Sequence, residues 1–186
     1  MPNWCDTTYK AVGTKEQVKQ FYDLAMKSWN KTKDQNQGWL GHFITELGGQ
    51  WEEVPSRGWL QDTPQLNERD DEDYAECTIY CQTAWGELTE WRHFVEQHID
   101  GLFIKYLAIE PGCGVYLSNM DEYIDKVYVD SSEHGTDFYT EEDAIKHLQE
   151  WYQKDYETIG DWIEFALEYT NKTDECLSIN FIEEGD

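Results

Sequence analysis

The sequence predicts an α+β fold, a ferredoxin-like sandwich in which helices pack on a mixed, mostly antiparallel sheet. Segments that alternate polar and apolar residues at period two are interspersed with segments at helical spacing. In order they read strand, helix, insert, strand, helix, a run of strands, two helices and a last strand. Strands joined through a helix pair in parallel, and strands joined by a short turn pair antiparallel, so we expect both kinds of pairing.

The N-terminal elements are a strand over residues 6–12, ended by Gly13, and a helix that runs to about Asn30. Thr14 followed by Gln17 is a capping box, which marks the first turn of a helix. The apolar residues of this helix share one face: Val18, Phe21, Tyr22, Ala25 and Trp29.

The segment after this helix has weaker patterns. Residues 39–47 suit a short helix that a pair of glycines stops. Residues 50–73 combine Pro, Gly and many charges without periodicity, so we expect irregular backbone with a short strand near Trp59 and Leu60. The acidic residues 67–73 lack the Asp-x-Asp-x-Asp-Gly pattern of a calcium loop, and we expect a solvated turn there.

The middle of the chain is the most regular part. Residues 75–83 alternate and carry β-branched and aromatic side chains, which predicts a strand. Residues 87–100 place apolar side chains at helical spacing before Gly101, which predicts a helix. Residues 102–109 are apolar enough for a central strand, and residues 115–117 start back after a turn containing Pro and Gly.

Further strands and helices are predicted towards the C-terminus. Residues 123–130 alternate, and we expect them to form an antiparallel hairpin with the strand that starts at Val115. The remaining elements are a loop at 131–137, a helix opened by Thr140, a helix over 156–169 that is either separate or a continuation bent at Gly160, and a last strand over 176–181.

The formal net charge is −25, from 14 basic and 39 acidic side chains. Residues 1–35 hold six Lys against four acidic residues, a net of +2, so residues 36–186 carry −27. Nucleic-acid binding depends on Lys and Arg that neutralise phosphates, so this charge disfavours direct binding to nucleic acid or to an anionic membrane, and allows basic partners. Acidity also keeps a protein soluble and monomeric, which is the simpler interpretation.

Residues 1–6 lack the basic and apolar regions of a signal peptide, and no apolar run approaches the roughly 18 residues typical of a transmembrane helix. We therefore expect a cytoplasmic protein. Its five cysteines are spread without a Cys-x-x-Cys motif, which predicts reduced and mostly buried thiols.

No motif predicts catalysis, a metal or a cofactor. His93 and His98 flank Glu96 one residue out of register for a His-x-x-Glu-His helix, and no Cys–His spacing suits zinc. The sequence also lacks the glycine-rich patterns that bind phosphates and a Gly-x-Ser-x-Gly motif. We therefore predict no catalytic residue, no metal and no cofactor.

Four side chains are candidates for one ligand-binding pocket: Trp4, Trp51, Trp85 and Glu110. Glu110 ends a predicted central strand beside a glycine turn, where a side chain can face a ligand. Alternatively, its carboxylate accepts backbone N–H bonds from that turn, and the tryptophans are buried with their indole N–H groups satisfied. Cys5 is interpreted as a small buried apolar residue, and a role as a nucleophile is the alternative.

Spaced motifs in the N-terminal part resemble landmarks of one family and its relatives. They are Met1-Pro-Asn-Trp-Cys5, Trp39-Leu-Gly41, Gly48-Gly-Gln-Trp51, Val54-Pro-Ser-Arg-Gly58, Thr83-Ala-Trp85 and Tyr106-Leu-Ala-Ile-Glu-Pro-Gly112. This family is encoded by phages, plasmids and other mobile elements and is named for a YubB-type ferredoxin-like domain. The resemblance covers about residues 1–130 and implies a ferredoxin-like fold and a mobile-element origin, without a particular chemistry. It departs at Gly86-Glu87, where the family has Ser-Pro-Pro, and residues 131–186 match none of its landmarks.

We expect one domain over residues 1–186, with a family-like core at 1–130 and C-terminal helices and a last strand at 131–186. The resemblance and the lack of catalytic motifs favour a non-enzymatic protein-binding or accessory module with a protein partner. One alternative is an acidic mimic of DNA that blocks a host nucleic-acid-binding protein. Another is an enzyme with a pocket near Trp85 and Glu110.

Overall fold

A computed structural model describes residues 3–68 and 73–186, and over these residues it contains five α-helices and ten β-strands. The protein is therefore a mixed α+β protein, as the sequence predicts. The chain divides into two compact units, Met1–Val115 and Tyr116–Asp186, which we call the first and the second unit. That the whole chain is one domain stays a prediction.

The first unit contains five strands and three α-helices. The strands are β1 (Trp4–Gly13), β2 (Gly58–Leu60), β3 (Gln65–Glu68), β4 (Ala75–Ala84) and β5 (Phe103–Glu110). The helices are α1 (Lys15–Trp29), α2 (Gly41–Glu46) and α3 (Thr89–His98), and short 3-10 helices cover Lys33–Gln35 and Pro111–Cys113. The predicted strands and helices at these positions are confirmed, with ends that shift by a few residues.

The strands of the first unit pair antiparallel throughout. β1 lies between β4 and β5, so that Thr7 faces Cys81 on one side and Ala108 on the other. β2 and β3 pair with opposite ends of β4. The expectation that a helical crossover would join neighbouring parallel strands is wrong here, because each crossover skips a strand. β4 separates β1 from β2, and β1 separates β4 from β5.

The apolar residues that alternate along the strands and those that share one face of α1 form the core of this unit. The predicted capping box is present, since the Thr14 hydroxyl accepts the Gln17 N–H and the Gln17 side chain accepts the Thr14 N–H. Three buried rings join the layers: Trp91 of α3 lies 5.0 Å from the ring centroid of Tyr9 and 5.2 Å from that of Phe43. Trp91 also donates its indole N–H to the Leu40 carbonyl at 3.0 Å, so this large side chain is both apolar and satisfied.

Strand β3 was not predicted. Its sequence, Gln-Leu-Asn-Glu, has one apolar residue and is mostly exposed, so it carries little of the period-two signal. The acidic turn expected at 67–73 begins inside β3 at Asn67 and Glu68, and its residues 69–72 lie outside the described part of the chain.

The second unit and its boundary contain five strands and two α-helices. The strands are β6 (Val115–Ser118), β7 (Val127–Ser131), β8 (Gly135–Tyr139), β9 (Leu177–Phe181) and β10 (Glu183–Glu184), and the helices are α4 (Glu141–Tyr152) and α5 (Ile159–Lys172). β7 lies between β8 and β9, antiparallel to both. β6 and β10 pair in parallel, so the protein does contain both kinds of pairing.

Two expectations for the second unit are wrong. The strand at 123–130 does not form a hairpin with β6, because residues 121–125 are turn, Asp125 has a φ of 62°, and β7 pairs with β8 and β9 instead. The predicted loop at 131–137 contains part of β8, whose five residues are exposed or only partly buried. Its polar sequence explains why no strand was predicted.

The two C-terminal helices are separate. Gln153 ends α4 in the left-handed region with a φ of 53°, and Thr158 caps α5 by accepting the Asp161 N–H. Of the two predicted alternatives, the separate helix is confirmed and the continuation bent at Gly160 is wrong. The core beneath these helices is centred on Trp162, which is fully buried and donates its indole N–H to the Tyr156 carbonyl at 3.2 Å.

Candidate functional site

An open groove of about 760 Å³ lies beside β2 in the first unit. Its walls include three indoles and three charged side chains: Trp39, Trp51, Trp59, Glu52, Glu53 and Arg57. We call it the tryptophan groove. Nearly all of its lining comes from the irregular segment that follows α2 and from the chain just before that helix.

Backbone hydrogen bonds to β2 hold two of the indoles in place. The Leu40 N–H donates to the Gly58 carbonyl at 2.9 Å, and the Leu60 N–H donates to the Gly38 carbonyl at 2.8 Å. Trp39 and Trp59 therefore face each other across an antiparallel bridge, although they are far apart in the sequence. Because β2 in turn pairs with β4, the positions of these two residues depend on the sheet.

The indoles of the groove meet edge to face. The ring centroids of Trp39 and Trp51 are 5.2 Å apart with an interplanar angle of 75°. Trp4, at the start of β1, meets Trp59 in the same way at 5.8 Å and 77°. Such pairs stabilise one another, and Trp51 remains 46% exposed.

Charged groups surround the indoles. Glu52 and Glu53 are exposed, and the guanidinium carbon of Arg57 lies 5.9 Å from the ring centroid of Trp4. Formally the groove therefore carries two negative charges and one positive charge. The formal net charge of these three side chains is −1.

A histidine packs against the ring of Trp39. The His42 ring meets Trp39 edge to face at 5.3 Å, and its Nδ1 lies 2.9 Å from the Ser28 hydroxyl oxygen. Ser28 also donates to the Trp39 carbonyl at 2.9 Å. Burial, together with the positive charge of Lys31, lowers the pKa of His42, which favours the neutral ring at neutral pH.

Of the four predicted pocket residues, the groove includes Trp51 in its lining and Trp4 as a neighbour of Trp59. Trp85 does not line it. Trp85 follows β4, donates its backbone N–H to the Asn3 carbonyl at 2.9 Å and leaves its side chain 56% exposed. Trp85 also has a φ of 74°, in the left-handed region that few residues other than glycine adopt.

Glu110 does not line the groove either. Its carboxylate is buried and accepts the Cys113 N–H, which caps the 3-10 turn that follows β5. This structural role is the predicted alternative to ligand binding. It occupies the Glu110 carboxylate with the backbone of the turn. Cys5 is fully buried as expected, and burial raises the pKa of its thiol, which opposes a role as nucleophile.

The sequence analysis missed the groove because its walls come from separate parts of the chain. In the sequence, Trp39 and Arg57 lie within short motifs, and Trp59 lies within a predicted short strand. The available signal was local composition, since three tryptophans fall within residues 39–59 alongside adjacent Glu52 and Glu53. An irregular segment that is rich in Trp is unusual for a solvated loop, because large aromatic residues are normally buried or at an interface.

None of the helices in residues 3–68 and 73–186 combines the length and the apolar character that crossing a bilayer requires. Within the same residues, no cluster of three or more His, Cys, Asp or Glu side chains is arranged to bind a metal ion.

The motifs that resemble the YubB-type family fall on well-defined positions of the first unit. Trp4 and Cys5 begin β1, Trp39 and Trp51 line the groove, and Glu110 caps its turn. That family membership stays a prediction. Compared with protein-family models, with curated proteins and with solved structures, the chain gave no match.

Proposed function

We propose that this protein is a non-enzymatic binding module, of mobile-element origin, that binds a protein partner through the tryptophan groove. The observation that carries the proposal is the groove itself, in which three indoles line one concave surface and one of them is 46% exposed. Exposing an indole to water is unfavourable, and burying it against a partner recovers that free energy.

The composition of the groove fits this role. Trp and Arg are the residues most enriched at the points of protein interfaces where truncation weakens binding most. The groove combines Trp39, Trp51 and Trp59 with Arg57, and a backbone bridge holds Trp39 and Trp59 before any partner binds. A preformed surface loses little conformational freedom on binding, which favours affinity.

We also propose a ferredoxin-like fold for the first unit. The strand order β5-β1-β4-β2, the antiparallel pairing and the two helical crossovers that each skip one strand support this assignment. The mobile-element origin is supported by the motifs of the N-terminal part. Glu110 is engaged by its turn, so the groove is a better candidate site than a pocket near Trp85 and Glu110.

The test is capture of partners from a bacterial lysate by the tagged full-length protein, by a Trp51→Ala variant and by a matched Trp85→Ala variant. Trp85 is also exposed but does not line the groove. We expect a partner that the native protein and Trp85→Ala retain equally and that Trp51→Ala loses by about thirtyfold, the size typical of a central interface residue. Equal capture by all three proteins, each folded by circular dichroism, would exclude the groove as the binding surface.

A second candidate, the acidic mimic of DNA, is favoured by the distribution of charge. The second unit has 4 basic against 20 acidic residues, a net of −16, whereas the first has 10 against 19, a net of −9. On α5, Asp161, Glu164 and Glu168 are exposed at successive turns of one face. This candidate predicts a basic nucleic-acid-binding partner that duplex DNA displaces and high salt releases, and whose capture does not depend on Trp51.

A further inference from the structure

We infer that the tryptophan groove accepts a cationic side chain of its partner, an ammonium or guanidinium group of a Lys, methylated Lys or Arg. This inference rests on the proposed function and adds the chemistry of the ligand. It is supported by the arrangement of indoles and carboxylates in the groove.

The indoles of the groove are suited to bind a cation. A cation within about 6 Å of an aromatic centroid is attracted by the negative face of the ring, and indole is the strongest of the protein side chains in this respect. Trp39 and Trp51 form a corner at an interplanar angle of 75°, and Trp59 adds a third indole to the same groove. A ligand group seated there meets aromatic carbon from more than one direction, which suits a compact group without a directional hydrogen-bonding pattern.

The carboxylates of the groove also favour a cationic ligand. Glu52 and Glu53 are adjacent, exposed and part of the lining, so two carboxylates border the indoles. The first unit as a whole carries a net charge of −9, from 10 basic and 19 acidic residues. An uncharged apolar ligand gains nothing from these carboxylates, whereas a cation gains from both carboxylates and indoles.

Arg57 is the one lining residue that opposes a cationic ligand, and its position limits that effect. Its guanidinium carbon lies 5.9 Å from the ring centroid of Trp4, which packs on Trp59. The positive charge is thus held against a fourth indole, that of Trp4. The same contact shows that a cation already lies over an indole ring at this surface, as we infer for the ligand.

The principal rival ligand is a proline-rich segment, since polyproline helices also bind grooves lined by aromatic side chains. Such a segment is uncharged and would be insensitive to Glu52 and Glu53. The two ligands therefore differ in their response to neutralising these carboxylates and to removing the charge of the ligand.

The test uses short Gly-Ser peptides that differ at one central residue: Lys, trimethyl-Lys, Arg, norleucine, or the all-carbon isostere of trimethyl-Lys. A Pro-rich peptide of equal length completes the set. Binding is measured by titration calorimetry and by the indole N–H signals of the nine tryptophans in NMR spectra. We expect the tightest cationic peptide to bind about three- to thirtyfold more tightly than its neutral counterpart, the range that cation–π contacts cover.

Matched variants locate the effect. Glu52→Gln with Glu53→Gln is expected to weaken cationic binding at least threefold, while Glu90→Gln, on the exposed side of α3, leaves it unchanged. Trp51→Leu is expected to weaken it at least tenfold, while Trp85→Leu leaves it unchanged.

Two outcomes overturn the inference: a neutral isostere or the Pro-rich peptide that binds as tightly as the cation, or no binding by any peptide. The proposed function has its own readout, the dependence of partner capture on Trp51. If capture depends on Trp51 but the charge of the peptide does not affect its binding, the inference of a cationic ligand is wrong and the proposed function stands. If capture is independent of Trp51, the proposed function fails whatever the peptides do.

Discussion

Glu87 and Arg92 form an ion pair inside the first unit. The Glu87 Oε1 lies 3.0 Å from the Arg92 Nε, and the two side chains are only 4% and 3% exposed. The second oxygen of Glu87 accepts the Thr89 hydroxyl, and the guanidinium carbon of Arg92 lies 5.1 Å from the ring centroid of Tyr106. The pair thus joins the first turn of α3 to β5.

Breaking this pair on one side is predicted to be strongly destabilising. Glu87→Gln or Arg92→Met removes this buried ion pair from one side, and such changes cost about 3–5 kcal/mol of unfolding free energy. The loss is expected to be smaller for Glu87→Gln, because the Arg92 Nη1 still lies 3.9 Å from the Glu96 Oε2. The double variant Glu87→Gln with Arg92→Met removes both charges of the pair, so we expect it to be less destabilised than the sum of the two. Urea denaturation measures all three, and Asp23→Asn, which removes an exposed pair with Lys19, is a control expected to change stability by under about 1 kcal/mol. Additive single effects would show that the two charges are not coupled.

A buried tyrosine is predicted to fix the start of α3. The Tyr9 hydroxyl oxygen accepts the Leu88 N–H at 2.9 Å, and Tyr9 is fully buried, which raises the pKa of its hydroxyl well above its usual value. Tyr9→Phe leaves that N–H without this acceptor, so we expect a loss of about 1–3 kcal/mol and faster hydrogen exchange at Leu88. Tyr80→Phe changes a tyrosine that is 41% exposed and is expected to leave stability unchanged. Unaltered exchange at Leu88 in Tyr9→Phe would contradict this role.

How far the sequence predicts the fold depends on whether the signal is local. β1 and α1 were predicted to within two residues because alternation and the Thr14 capping box lie within the elements themselves. β3 and β8 were missed because they are short and polar, and they become strands only by pairing with β4 and β7. The pairing of β7 is likewise decided by distant strands.

The site was predicted in part for the same reason. Trp51 and Trp4 lie within motifs that resemble the YubB-type family, and in the structure they line the groove or adjoin it. Trp39 and Trp59 become neighbours only through the bridge beside β2, which no pattern within either segment encodes. Glu110 was selected for its place at a strand end, where its carboxylate in fact caps the turn.

The stability of the protein is predicted to fall at alkaline pH because of buried thiols. Burial raises the pKa of Cys77 to about 12 and also raises that of Cys81. In the unfolded chain these thiols ionise from about pH 9, so the stabilisation is complete below that pH and is lost as the pH rises towards the folded value. Each such group adds a slope of up to about 1.4 kcal/mol per pH unit.

Denaturation at pH 8 to 11 tests this slope. Cys77→Ala removes one titrating group, so its unfolding free energy is expected to fall less steeply with pH than that of the native protein. Alkylation at pH 8 gives an independent check, with modification expected at the exposed Cys113 and Cys176 but not at Cys77 before unfolding. Parallel pH profiles for the two proteins would be inconsistent with a buried, protonated Cys77.

The close packing of Gly58 is predicted to control the geometry of the tryptophan groove. A Cβ at this position would lie 2.8 Å from the Leu40 Cδ1 and 2.9 Å from the Thr83 Cγ2, closer than carbon atoms approach in proteins. Because the Gly58 carbonyl also accepts the Leu40 N–H, relief of the clash moves the bridge between Trp39 and Trp59. Gly58→Ala is therefore expected to lose about 1–3 kcal/mol of unfolding free energy, as over-packed cores do.

Gly86→Ala is the matched control, since a Cβ there meets no atom within 4 Å. Thermal unfolding compares the stabilities, and the indole N–H signals of Trp39 and Trp59 report on the groove. We expect both signals to shift in Gly58→Ala and neither to shift in Gly86→Ala. If Gly58→Ala is destabilised while both signals stay in place, the core absorbs the extra methyl group and the groove is held independently of Gly58. If both variants are as stable as the native protein, the Leu40 side chain moves aside without a loss of stability. The packing at Gly58 then does not set the position of Trp39.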